Sequence, residues 1–150
     1  MTTVLTEALT EDTMVKLARE QVDAFNRGDW EGVRAGLASD SRYDELGTER
    51  KIEGAEKIVE LFKSWKQGFP DAAGTVTSAV ASGDMAALEV TWAGTHTGPL
   101  ATAEGTIPAS GKRQETPAAI VFTFAGDKIK ESRHYFDSLT LLKQIGAQPK

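Results

Sequence analysis

Three side chains carry most of the chemistry this chain can offer: His134, Tyr43 and Glu45. His134 lies in Arg133-His134-Tyr135-Phe136-Asp137. An imidazole in a partly apolar pocket changes charge near neutral pH and can move a proton. The competing reading is a structural histidine, hydrogen-bonded and inert. Tyr43 and Glu45 lie two apart, so on a strand they share a face. A phenol beside a carboxylate can hold a water or a substrate hydroxyl. A desolvated Glu45 would have a raised pKa and act as acid or base. On an exposed edge strand the same pair would do nothing. His96, within Gly94-Thr95-His96-Thr97-Gly98, either contacts a substrate or is a turn histidine bonded to backbone. Trp92, Phe122, Trp65 and Phe25 are core residues that also suit the walls of a substrate pocket. Asp137, followed by Ser138, Leu141 and Leu142, reads as a helix cap rather than a catalytic acid.

Composition removes several other chemistries. With no cysteine there is no disulfide, thiolate metal site or cysteine nucleophile. Two histidines are too few for a histidine-built zinc site, and no metal is expected. The glycines at 105 and 111 lack P-loop spacing. A net charge of −5 argues against a nucleic-acid partner. No apolar run approaches the ~20 residues of a membrane span, and no basic-then-apolar start marks a signal peptide. No membrane association is expected, and the expected compartment is cytoplasmic.

These residues must be positioned by helices that come first and strands that follow. Residues 1–10 are weakly patterned and read as a mobile leader; residues 11–150 read as one domain. Thr10-Glu11-Asp12 opens a helix whose Met14, Leu17, Ala18, Val22 and Phe25 recur at helical spacing. Gly28 stops it and Asp29 caps a second helix with Trp30, Val33 and Leu37 on its apolar face. Residues 41–46 read as a short strand, 47–54 as a loop, and 55–67 as a third helix. Four strands follow at 75–81, 85–96, 116–125 and 128–137. Gly126-Asp127 is a two-residue hairpin turn. Residues 97–112, rich in Gly, Pro, Ala and Thr, form an excursion over one end of the sheet. Helices followed by an antiparallel meander define an α+β fold. Ala86, Leu88, Val90 and Trp92 form one inward face, which His96 joins by parity. Ile120, Phe122 and Phe124 form another. The last strand offers two faces: Ile129, Glu131, Arg133 and Tyr135, or Lys130, Ser132, His134 and Phe136. The second is read as inward.

The helix-one segment Ala24-Phe25-Asn26-Arg27-Gly28-Asp29-Trp30, the Phe69-Pro70-Asp71 turn, Gly94-Thr95-His96-Thr97-Gly98 and the 126–137 hairpin strand resemble the SnoaL-like polyketide cyclase or ester cyclase branch of the nuclear transport factor 2-like superfamily. The resemblance covers about residues 11–147. It implies a cone: N-terminal helices packed in a curved, mainly antiparallel sheet, with a deep pocket, and homodimers formed through the sheets. Cyclases of this type use an aspartate on the last strand as acid/base. Related limonene-epoxide hydrolases have Arg-Asp-Tyr-Phe-Asp there, and His134 stands at the position of that first Asp. Their Tyr-x-Asn pair corresponds to Tyr43-Asp44-Glu45. Their central-strand Arg and Asp have no counterpart in Leu88-Glu89-Val90-Thr91-Trp92, so epoxide hydrolysis is not expected. The residues and the resemblance together suggest a cofactor-free acid/base enzyme with His134, Tyr43 and Glu45 catalytic. Its substrate would be a small apolar carbonyl compound undergoing aldol cyclisation, isomerisation or dehydration. A pocket that binds a small apolar molecule unchanged, and a dimerising scaffold, are the alternatives.

Overall fold

Helix α1 (Glu11–Arg27) begins where the Thr10 hydroxyl accepts from the Thr13 amide at 3.1 Å, with Glu11 and Asp12 placed favourably in the first turn. It ends at Gly28, whose φ of 69° suits a residue without Cβ. The structure, a computed structural model, describes residues 9–147. The proposed leader therefore lies mostly outside the described residues; within them, Leu9 already packs against the core and Thr10 caps α1.

Asp29 caps α2 (Trp30–Gly36) by accepting from the Gly32 amide at 2.9 Å. Leu37 is not on the apolar face of that helix, as helical spacing had suggested. It is extended and starts β1 (Leu37–Glu45), which is longer than the strand expected at 41–46. A β-branched or large apolar residue at a helix end serves either period, and tertiary pairing decides. The loop expected at 47–54 contains a short strand, β2 (Arg50–Glu53), paired antiparallel to β1. Helix α3 (Ala55–Gly68) follows. Then come β3 (Ala73–Ser82), β4 (Met85–Thr95), a small hairpin of β5 (Leu100–Thr102) and β6 (Gly105–Ile107), β7 (Arg113–Ala125), β8 (Lys128–Phe136) and α4 (Ser138–Gln144). The hairpin lies within the 97–112 excursion and buries Leu100 against Phe25, Phe69 and Leu141.

The α+β architecture is as expected, with one difference in pairing. The six-stranded sheet has the order β2-β1-β8-β7-β4-β3, and β1 runs parallel to β8 while the other pairs are antiparallel. That parallel pair sets Glu45 beside His134 and Tyr43 beside Ser132. Gly126 takes a φ of 60° in the two-residue turn that joins β7 to β8.

The last strand faces inward with Ser132, His134 and Phe136, as read from the sequence. Ile129 does not belong to the opposite face. The register steps from Thr123↔Glu131 to Phe124↔Ile129, so Lys130 is the extra residue of a β-bulge. A bulge reverses parity, and Ile129 is fully buried on the same side as Ser132. One core cluster holds Met14, Val22, Leu88, Phe122 and Ile129; a second holds Phe25, Phe69, Leu100 and Leu141. Phe62, Trp65 and Trp92 pack against both. Among the described residues, no helix is long and apolar enough to cross a membrane.

Candidate active site

Where the two clusters meet there is a narrow cavity of about 100 Å³. Apolar cavities of about 150 Å³ hold benzene, so this one takes a small or slender ligand unless its walls move. His134, Tyr43, Trp92, Phe122, Trp65 and Phe25 all line it. Their convergence follows from alternation on β1, β4, β7 and β8, together with one face each of α1 and α3.

A hydrogen-bonded chain runs along one wall. Glu45 has no exposed surface. Its Oε1 accepts from Arg50 Nη2 at 2.7 Å, Arg50 Nε at 3.0 Å and Thr48 Oγ1 at 2.6 Å. Its Oε2 accepts from Tyr43 Oη and from Trp65 Nε1, both at 3.0 Å. All these partners donate, so Glu45 acts as an acceptor and Arg50 compensates its charge. The Arg50 guanidinium also lies 5.5 Å from the centre of the Trp65 ring. Glu45 stands behind Tyr43 rather than in the cavity wall. A Glu45 that acts directly as acid or base, the expectation from the sequence, would need to face the cavity. Its placement is that of a group that anchors Tyr43.

Tyr43 Oη lies 2.7 Å from His134 Nδ1, and Trp92 Nε1–H donates to His134 Nε2 at 3.0 Å. Indole can only donate, so Nε2 bears the lone pair. A neutral His134 then carries its proton on Nδ1 and donates to Tyr43, whose hydroxyl proton is directed at Glu45. The tautomer thus follows from the network. Burial pushes the His134 pKa down to about 4, with Glu45 opposing that shift. Burial, and then the nearby Glu45 charge, hold the Tyr43 pKa well above that of a free phenol. At neutral pH the wall therefore presents a neutral imidazole and a phenol, with Glu45 behind the phenol.

His96 lies elsewhere. It is fully buried, as parity on β4 required, but is not among the cavity-lining residues. The Phe69 ring packs against it with centroids 5.3 Å apart. Its Nδ1 accepts from the Ser110 amide at 3.1 Å and lies 2.9 Å from Ser110 Oγ. Burial lowers its pKa, opposed by the Ile107 backbone. The expectation that His96 binds substrate in the cavity is corrected by this position: Phe69 lines the cavity and His96 packs on Phe69. Asp137 is the cap of α4, accepting from the Thr140 amide at 3.1 Å.

Several lining residues were not singled out in the sequence: Gln21, Phe62, Phe69, Gln114, Thr116 and Leu141. Gln114 and Thr116 share the parity of Ile120 and Phe122; Thr116 lies in the strand expected at 116–125, and a strand begun at 113 places Gln114 inward as well. Arg50 had no such signal, because its partner is fixed by the β1–β2 pairing. Among the described residues, no group of three or more His, Asp and Glu side chains is placed to hold a metal ion.

An α+β cone with an internal cavity lined from both sheet and helices defines the nuclear transport factor 2-like class. Within it, residues 16–145 match the model of the SnoaL-like polyketide cyclase family, and the chain belongs to that family. No curated protein matches the sequence. Solved structures share the fold. A proposed SnoaL-like polyketide cyclase from Jannaschia sp. CCS1 is 22% identical over 95% of this chain and 98% of that one, with a TM-score of 0.83. IdmH from Streptomyces antibioticus, a proposed polyketide cyclase, is 24% identical over 87% and 96%, with a TM-score of 0.74. An M. tuberculosis epoxide hydrolase of the limonene-epoxide hydrolase type is 20% identical over 90% of each chain, with a TM-score of 0.68.

Proposed function

We propose that the chain is a cofactor-free acid/base enzyme that moves a proton on a small apolar carbonyl compound, with His134 Nε2 as the base. The observation that supports this most is the ordered chain from Glu45 through Tyr43 to His134, ending in a lone pair at the cavity wall. When Nε2 takes a proton from a carbon beside a carbonyl, the C–H electron pair passes into an enolate and the imidazole becomes a cation. Nδ1–H still donates to Tyr43, and the Glu45 charge stabilises that cation through the phenol. Trp92 gives up its bond to Nε2 as substrate enters, and its N–H is then available to the enolate oxygen. Return of the proton to another carbon is isomerisation. Attack of the enolate on a second carbonyl, with the proton passed to the new alkoxide, is aldol cyclisation.

A base with a pKa of about 4 is weak. It suits a carbon acidified by two flanking carbonyls better than a simple ketone. The test is deuterium exchange into the acidic C–H of ethyl 2-methylacetoacetate, read by proton NMR. The native protein should accelerate exchange with a preference for one enantiomer, and His134→Gln should not. Equal acceleration by both proteins would remove His134 from the role.

One observation favours a second reading. Both ring nitrogens of His134 are already hydrogen-bonded, as in a structural histidine. A pocket that only binds would return every ligand chemically unchanged after long incubation. The homodimer would use the outer sheet face, where Val80, Met85 and Tyr135 are exposed. Sedimentation velocity would give a monomer mass if that is wrong.

A further inference from the structure

Three hydroxyls line the cavity, those of Tyr43, Thr116 and Ser132. Tyr43 donates to Glu45, and Thr116 is hydrogen-bonded to Gln114 Oε1 at 2.6 Å. The Ser132 hydroxyl makes no hydrogen bond to another described residue, although the residue is only 3% exposed. Nor is it sealed within protein: among the described residues, His96 Nε2 is the one fully enclosed polar side-chain atom without a partner. A hydroxyl that is shielded from bulk solvent, unpaired and not enclosed opens on the cavity that its residue lines. Ser41 shows the ordinary solution. It too is buried on the sheet, and it donates to the Ile129 carbonyl at 2.8 Å.

Strand register places this hydroxyl beside the candidate base. Ser132 and His134 are two residues apart on the inward face of β8, so at roughly 3.3 Å per residue their Cα atoms stand about 7 Å apart. Ser132 pairs with Phe122 of β7 and His134 with Ile120, while Trp92 of β4 pairs with Thr116 from the other side of β7. Along β7 the order is therefore Trp92, His134, Ser132. The Trp92 indole reaches His134 Nε2 at 3.0 Å from the Thr116 side, and Ser132 stands on the opposite side. Tyr43, the partner of Ser132 on β1, turns its hydroxyl to His134 and Glu45 and leaves Ser132 free. The imidazole thus has an N–H donor on one flank and an unpaired hydroxyl on the other. A carbon between two carbonyls presents the matching pattern, one acidic C–H with an oxygen on either side.

We propose that Ser132 is a further catalytic residue: its hydroxyl donates to one oxygen of a 1,3-dicarbonyl substrate whose central C–H meets His134 Nε2, while the Trp92 N–H takes the other oxygen. This deepens, and rests on, the acid/base reading of the same cavity. When the proton passes to Nε2, the C–H electron pair enters an enolate whose negative charge is shared by the two oxygens. Each oxygen then faces one donor, and both hydrogen bonds strengthen as the charge develops. Return of the proton to the carbon restores the neutral imidazole. The Ser132 hydroxyl has no protein partner to give up, so its bond to substrate is not offset by one that is lost.

In the exchange assay on ethyl 2-methylacetoacetate, Ser132→Ala should lower kcat about 10²-fold, the effect of removing one donor to a developing oxyanion. The pH midpoint near 4 should stay in place, because His134 keeps its partners. The Tm of Ser132→Ala should hold, whereas Ser41→Ala, which loses a buried hydrogen bond, should melt lower. Binding gives a second readout, followed by ligand-observed NMR. Acetylacetone should bind the native protein about ten-fold tighter than 2-pentanone, which lacks the second ketone, and Ser132→Ala should remove most of that preference. An unchanged kcat in Ser132→Ala, a loss accompanied by a shifted midpoint, a fall in Tm matching that of Ser41→Ala, a native preference near one or no binding of acetylacetone would each overturn the assignment. The two readings fail separately. If exchange requires His134 but Ser132→Ala exchanges as fast as the native protein, only the Ser132 assignment falls. If His134→Gln still catalyses exchange but the preference for acetylacetone disappears in Ser132→Ala, Ser132 keeps its bond to the dicarbonyl and His134 loses its role.

Discussion

The chain has two histidines, His96 fully buried and His134 partly buried, both with pKa values lowered chiefly by desolvation, yet they occupy different physical situations. His134 is hydrogen-bonded at both nitrogens, linked through Tyr43 to a carboxylate, and faces a cavity. His96 is held at Nδ1 by Ser110, while its Nε2 has no hydrogen-bond partner among the described residues. It packs against Phe69 and does not line the cavity that His134 faces. A perturbed pKa therefore does not separate a candidate catalytic group from a structural one. What separates them is a route for charge on one side and room for a substrate on the other.

The largest expected difference is in activity. His134→Gln should lower exchange by ~10²–10⁴-fold, the usual contribution of a general base. His96→Gln should leave the exchange rate of the folded protein within about three-fold. Comparable losses at both positions would end the distinction between them.

The next effect concerns the anchor. Arg50→Met leaves Glu45 buried without its cation, and chemical denaturation should show a loss of about 3–5 kcal/mol. No anchor of this kind exists at His96, where Ser110→Ala removes only a neutral hydroxyl and should cost about 1 kcal/mol.

A third effect is pH linkage. Free histidine titrates near 6.5 and folded His134 near 4. Between those values the unfolded chain binds a proton that the folded one refuses, so stability falls as pH drops from about 6.5 to 4 and is flat on either side for this group. The fall should be about 3 kcal/mol. His96 contributes in the same direction. Subtracting the profile of His134→Gln from that of the native protein isolates the part due to His134. A difference curve with no step in that window would contradict the described burial.

Smaller effects sharpen the relay itself. Tyr43→Phe keeps the ring against Phe62 but leaves His134 Nδ1–H unpaired; it should cost about 1–3 kcal/mol and slow exchange. Trp92→Phe removes a donor that favours the neutral imidazole, so the His134 pKa should rise, by less than about one unit. A fall instead would contradict donation from Trp92 Nε1–H to His134 Nε2.

How much of this was legible in the sequence depends on the distance over which each feature is determined. The helices were readable because their caps, Thr10, Gly28 and Asp29, act within a turn. The inward parity of His134 was readable because its strand alternates without interruption from Glu131 onward. Ile129 was misplaced because the bulge at Lys130 breaks that period, and nothing in a strand's own residues marks which position will be skipped. The parallel β1–β8 pair, which brings Glu45 to His134, and the β1–β2 pair, which brings Arg50 to Glu45, are properties of topology. Gln114 was missed for a different reason. Its strand begins three residues before the expected start, and polar residues at a strand's entrance read as loop.

The central claim is that His134 Nε2 takes the proton. It is tested most directly by the pH profile of kcat/KM for exchange into ethyl 2-methylacetoacetate, which reports the groups of the free protein. The account predicts a rate that rises with pH through about 4, levels off towards neutrality, and collapses in His134→Gln. A profile that keeps both its shape and its height in that variant would contradict it.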